Sequence, residues 1–118
     1  MIKFFNKPKI NRYVSFTFDD GFIAGAQKVA KIIHPHKATF YLVTGWVKPN
    51  SIEIKDEYNI DADHGDIKQW QKLAQLGHEI GSHTVSHPIP QEADLDEYIQ
   101  SLDYLKHFHS GPYSLAMP

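Results

Sequence analysis

There is no cysteine among the 118 residues. Disulfides and thiolate metal ligands are therefore excluded, and the redox compartment stays undecided. Long apolar runs are missing too: no segment approaches the stretch of about 20 apolar residues that a membrane-spanning helix needs. No apolar core follows the N-terminal lysines, so this chain shows no secretory signal. Both the cytoplasm and export after removal of a leader stay open. Charge of one sign is scarce, with 12 Lys and Arg against 14 Asp and Glu and a formal net charge of −2. Lys3, Lys7, Lys9 and Arg12 form only a short basic arm, read as solvated. Without a clustered positive field, nucleic acid is a poor partner. There is no internal repeat and no low-complexity tract.

What is there is an ordinary globular composition, 42% hydrophobic and 22% charged, which fits one domain over residues 1–118 with a modest core. Strand and helix signals alternate. Val14 to Phe18 is β-branched and aromatic and ends at Asp-Asp-Gly, a turn signal. Ala24 to Ile33 reads as a helix with Val29, Ile32 and Ile33 inward, stopped by His34-Pro35. Ala38 to Thr44 is nearly all apolar, as a strand buried on both faces should be. Residues 45–65 form a long irregular connection of the kind that tends to be functional or mobile. Asp66 and Gln69 make a capping box for a helix with Ile67, Trp70, Leu73 and Ala74 inward, closed by Gly77. A third strand over 78–82 delivers His83. Leu95, Tyr98, Ile99, Leu102, Leu105 and Phe108 form a helical stripe, and residues 113–117 read as a fourth strand. The order β-α-β-α-β-α-β predicts an α/β fold with a parallel sheet and right-handed crossovers.

Two stretches carry chemistry. Asp19-Asp20-Gly21 places adjacent carboxylates at the end of the first strand. His83-Thr84-Val85-Ser86-His87 places two imidazoles four residues apart at the end of the third. Alone, each has a plain structural reading: a turn in which Asp bonds backbone amides, and two unrelated surface or core histidines. Together, at strand ends that an α/β fold gathers, they point to a divalent metal held by one carboxylate and two imidazoles, with a position left for water. A donor set of nitrogen and oxygen suits Zn2+ and related first-row ions such as Co2+ or Ni2+. An unrelated metallohydrolase such as a phosphatase would want a basic phosphate cradle, which the sequence does not display. Of the other histidines, His34 and His36 flank a helix end, His78 reads as structural, and nothing singles out His64.

Thr17-Phe18-Asp19-Asp20-Gly21 and Ser82-His83-Thr84-Val85-Ser86-His87-Pro88 resemble the first two motifs of the polysaccharide deacetylases, the NodB-homology domain of carbohydrate esterase family four. Leu76-Gly77-His78-Glu79-Ile80-Gly81 is similar as well, and the resemblance runs over nearly the whole chain. It implies a distorted (β/α) barrel and metal-dependent removal of N- or O-acetyl groups from an oligo- or polysaccharide. It makes Asp20, His83 and His87 the metal ligands and Asp19 the general base toward metal-bound water. A ligating carboxylate is neutralised by the ion and is a poor base, whereas its neighbour stays basic.

Leu115-Ala116-Met117-Pro118 falls at the family's third motif, with Ala116 where the family typically has Arg. The later motifs, including the histidine that serves as general acid, have no counterpart in these residues. A closed barrel takes roughly 200 residues or more, and four strands leave open edges. The expectation is part of a longer chain, or a half-barrel completed by a partner or a second copy. The alternative function is a catalytically incomplete module that binds carbohydrate or a partner protein on the same fold.

Overall fold

A computed structural model describes residues 11–50, 52–54 and 62–118. Three parallel strands form one sheet in the order β1 (Thr17–Phe18), β2 (Thr39–Leu42), β3 (Glu79–Ser82). Thr17 pairs with Thr39, and Thr39 in turn with Glu79. Helices α1 (Ile23–Ile33) and α2 (Ile67–Gln75) make the two crossovers, and α3 (Leu95–Tyr104) follows β3. The α/β alternation and parallel pairing expected from the sequence are present. The fourth strand is reduced to a single parallel bridge, Ser82 with Leu115, because only Ser82 N to Ser114 O and Ala116 N to Ser82 O close there.

The helix signals act locally as their chemistry dictates. Asp66 accepts from Gln69 N while the Gln69 side chain accepts from Asp66 N, a complete capping box. At the other end Gly77 takes φ 94°. His78 N then reaches Leu73 O and Gly77 N reaches Ala74 O, the paired bonds of a Schellman stop. α1 has no side-chain cap at Phe22; it is held instead by its buried stripe of Ile23, Ala26 and Ala30. Ile32 was expected inward but is 71% exposed. The two alanines let α1 lie close to the core, and Ile32 is rotated onto the opposite side of the helix from Ala30. In α3, Leu95 and Ile99 are likewise exposed. The helix is buried through its C-terminal half, at Ser101 and at Leu105 in the 3-10 turn that follows.

The core joins Phe40 and Leu42 of β2, Ile80 of β3, Trp70 and Leu73 of α2, Leu105, and the stripe of α1. Trp70 is fully buried and donates from Nε1 to His64 O at 2.8 Å, so its polar atom is satisfied inside the core. β1 is exposed along both its residues, an edge of the sheet, with Phe18 stacked on Phe40. His78 proves structural, as expected: it is buried and its Nδ1 accepts from Ala38 N. Of the long connection, residues 51 and 55–61 lie outside the described residues, as do Lys3, Lys7 and Lys9. Among the described residues no helix is long and apolar enough to cross a membrane.

Candidate metal site

β1 and β3 lie on opposite sides of β2, so parallel pairing brings their carboxyl ends, and the turns beyond them, to one edge of the sheet. Asp20 and Gly21 leave β1 in the left-handed region, at φ 69° and 75°. The conformation favours glycine at 21, and a Cβ there would also press on Leu42 Cδ2 at 2.9 Å. Thr84 (φ 70°) and His87 (φ 59°) do the same after β3. These three are the only non-glycine residues with positive φ among the described residues. For β-branched Thr84 this is a strained conformation, worth about 1–3 kcal/mol, which persists only if its surroundings impose it.

They do so with hydrogen bonds. Thr84 N donates to Ser82 Oγ, and His87 N donates to Thr84 Oγ1, whose own hydroxyl donates to His83 O. Thr44 N donates to Thr84 O and Gly45 N to Val85 O, tying the turn to the end of β2. Val85 N and Ser86 N both donate to Glu97 Oε2 from α3. The result is a turn, rather than a helix, that aims both imidazoles at one point.

At that point His83 Nε2 and His87 Nε2 each lie 3.3 Å from Asp20 Oδ1. All three donor atoms fall within 4.8 Å of one another. His83 is buried, and its Nδ1 lies 3.0 Å from the Ala116 carbonyl oxygen. A carbonyl only accepts, so Nδ1 is the donor there, and Nε2 is the ring atom turned toward Asp20. Metal-ligating histidines are held in this way, with the second nitrogen donating to a carbonyl or carboxylate. The three donor atoms, with His83 held by the Ala116 carbonyl, therefore fit a divalent ion. His87 is backed by Trp46, ring centroids 5.8 Å apart and planes 17° from parallel.

Of the residues expected at the site, the fold brings Asp20, His83 and His87 together. Asp19 stands outside that cluster: it is exposed and lines a cavity of about 170 Å³ with Phe18, Phe22 and Phe40. Two residues at the site carry no sequence signal. His64 is buried against Trp46, and its Nδ1 donates to both Asp20 O and Gly21 O at 3.1 Å. The segment that carries it is pinned by Asp63, which accepts from Gly65 N at its carboxylate and from Ile23 N at its carbonyl. The Gly65 bond, aided by Lys48, lowers the Asp63 pKa. Glu97 is the other. Only its place three residues after Asp94 marks it in sequence, and that pattern reads as a local helix cap.

Strand, acidic turn, long connection, strand and histidine turn follow one another as in a known enzyme group, and a family model described as polysaccharide deacetylase matches residues 6–108. This chain belongs to the polysaccharide deacetylase family. Among solved structures it is similar to the Streptococcus pyogenes deacetylase PplD in complex with acetate, at 27% identity and a TM-score of 0.67 over 94% of this chain. It is similar to the Bc1960 peptidoglycan N-acetylglucosamine deacetylase at 26% identity and a TM-score of 0.56 over 88% of this chain. A polysaccharide deacetylase from Bacillus cereus, BC0361, shares the fold at 19% identity and a TM-score of 0.61 over 87% of this chain. The chain spans less than half the length of each, 47%, 45% and 31% respectively. A comparison with curated proteins finds no match. Three parallel strands with flanking helices are thus a portion of the polysaccharide deacetylase fold.

Proposed function

We propose that this polysaccharide deacetylase chain carries the metal-binding part of a hydrolase that removes acetyl groups from a carbohydrate. Asp20, His83 and His87 would hold the ion, Zn2+ by preference with Co2+ or Ni2+ as alternatives, and Asp19 would be the general base. The observation that carries this reading is the convergence of Asp20 Oδ1 and two imidazole Nε2 atoms within 4.8 Å. A bound divalent ion would supply Lewis acidity, making water more acidic and the acetyl carbonyl more electrophilic. Asp20, with its charge committed to the ion, is a poor base. Asp19, adjacent in sequence but outside the ligand cluster, is free to take the proton at a carboxylate oxygen. The likeness to a peptidoglycan N-acetylglucosamine deacetylase favours an N-acetylated amino-sugar polymer as substrate.

The test joins metal analysis to acetate release. The full-length protein should retain near-stoichiometric Zn2+ after dialysis, and His83→Ala should abolish that retention. Acetate should be released from acetylated amino-sugar oligomers or acetyl-xylan only by the metal-loaded form. Absence of bound ion under zinc-replete conditions would sink the metal assignment. A second reading, a binding module without turnover, draws on Ala116 at the position where the family typically has Arg. Oligosaccharide binding with no acetate release would select it.

A further inference from the structure

We infer that Glu97 is a positioning residue for the metal ligands, acting on His87 through the backbone of the turn that carries it. The inference rests on the metal reading of Asp20, His83 and His87. It concerns a residue on a different element, α3, that is not one of the three candidate ligands.

The argument begins with a bond that Glu97 does not make. Asp94-x-x-Glu97 is a capping-box pattern, and its first half is formed: Glu97 N donates to Asp94 Oδ1 at 3.0 Å. In the matching box of α2 the Gln69 side chain returns to the cap residue's backbone N–H. Glu97 has no such return. Its carboxylate is directed out of the helix to the turn after β3. Oε2 accepts from Val85 N at 2.9 Å and Ser86 N at 3.1 Å, and Oε1 accepts from Ser86 Oγ at 2.5 Å. One carboxylate thus takes three hydrogen bonds from two consecutive residues between the two histidines.

The turn needs this hold. Thr84 and His87 sit at φ 70° and 59°, conformations that relax unless imposed. On one side the turn is anchored by Thr44 N and Gly45 N, which satisfy the Thr84 and Val85 carbonyls. The N–H groups of Val85 and Ser86 point the other way, and Glu97 satisfies them. Hydrogen bonds from N–H to an ionised carboxylate are about twice as strong as neutral ones. Residues 84–86 are therefore clamped between the 3-10 turn Thr44–Trp46, which follows β2, and α3. These anchors fix the backbone from which the His87 side chain projects.

The test uses the full-length protein with Zn2+ as probe. Zn2+ affinity would be measured by competition with a chromophoric chelator, and geometry by the visible absorption of the Co2+-loaded form. Glu97→Ala should weaken Zn2+ binding about tenfold, the low end of the loss seen when a group bonded directly to a metal ligand is removed, and alter the Co2+ spectrum. Glu97→Gln keeps an acceptor oxygen for the two N–H groups and should recover most of the affinity. Asp94→Ala removes the cap of the same helix without touching the turn. It should lower thermal stability while leaving Zn2+ affinity and the Co2+ spectrum as in the wild type. Wild-type affinity in Glu97→Ala, or equal losses in Glu97→Ala and Asp94→Ala, would overturn the role of Glu97 alone. A wild-type protein that binds no Zn2+ would overturn the metal reading and this inference with it.

Discussion

His83 Nδ1 lies 3.0 Å from the carbonyl oxygen of Ala116, 33 residues along the chain. The bond makes Nδ1 the donor there, with Nε2 turned toward Asp20. It uses the main chain of Ala116 and not its side chain, so it does not depend on which side chain stands there. Ala116 N in turn donates to Ser82 O at 2.8 Å. Ala116→Pro deletes that donor and should loosen the segment, weakening Zn2+ affinity about tenfold or more. Ala116→Ser keeps the main-chain bonds and should bind Zn2+ like the wild type. Chelator competition on the two variants decides this.

Adjacent carboxylates with different surroundings should fail differently. Asp20→Asn removes a charged donor and should strip the ion. Asp19→Asn should keep the ion and lose about 100- to 10,000-fold in kcat, the usual range for a general base. Metal content and acetate release measured side by side make the distinction. Loss of metal in Asp19→Asn would remove its assignment as base.

Gly45, in the 3-10 turn Thr44–Trp46 after β2, is where that turn meets the histidine turn. A Cβ there would stand 2.5 Å from the Val85 carbonyl oxygen and 2.6 Å from Ile52 Cδ1. The first of these is main chain and cannot swing away. Gly45→Ala should destabilise the fold by about 1–3 kcal/mol through overpacking. It should also weaken Zn2+ binding, because the turn itself must shift. Denaturant unfolding and chelator competition on the same variant report the two effects.

His78 should make the fold acid-sensitive. Burial, and secondarily repulsion from Lys37, hold its pKa below the ordinary 6.5. The unfolded chain therefore takes up a proton at higher pH than the folded one. The stabilisation is complete above 6.5 and is lost as the pH falls from there through the lowered folded value. Protonation would also end the acceptance by Nδ1 of the Ala38 N–H. His78→Asn keeps an acceptor there without a titrating ring. Its thermal midpoint should fall less than that of the wild type on acidification below pH 6.5; parallel curves would refute this.

Local chemistry made much of this protein legible before folding. The apolar runs at 38–44 and the Asp66 capping box act within a few residues of themselves, and β2 and α2 stand where such signals put them. The two motifs supply the candidate ligands, because residue type and strand-end placement are both local facts. Residue patterns could not say which side of a helix a packed neighbour would cover. Ile32 and Leu95 fit a helical period yet face away from the core. Nor could they show bonds between distant elements. His64 reaches the Asp20 carbonyl across 44 residues, and Glu97 leaves its own helix cap to hold a turn 11 residues earlier. A hydrogen bond of that kind depends on where two elements are brought by packing on the same sheet, and no spacing in the chain records it. The residue types fit for a metal site were determined by sequence. Their convergence on one point was decided by the three parallel strands and the side chains that brace the turns between them.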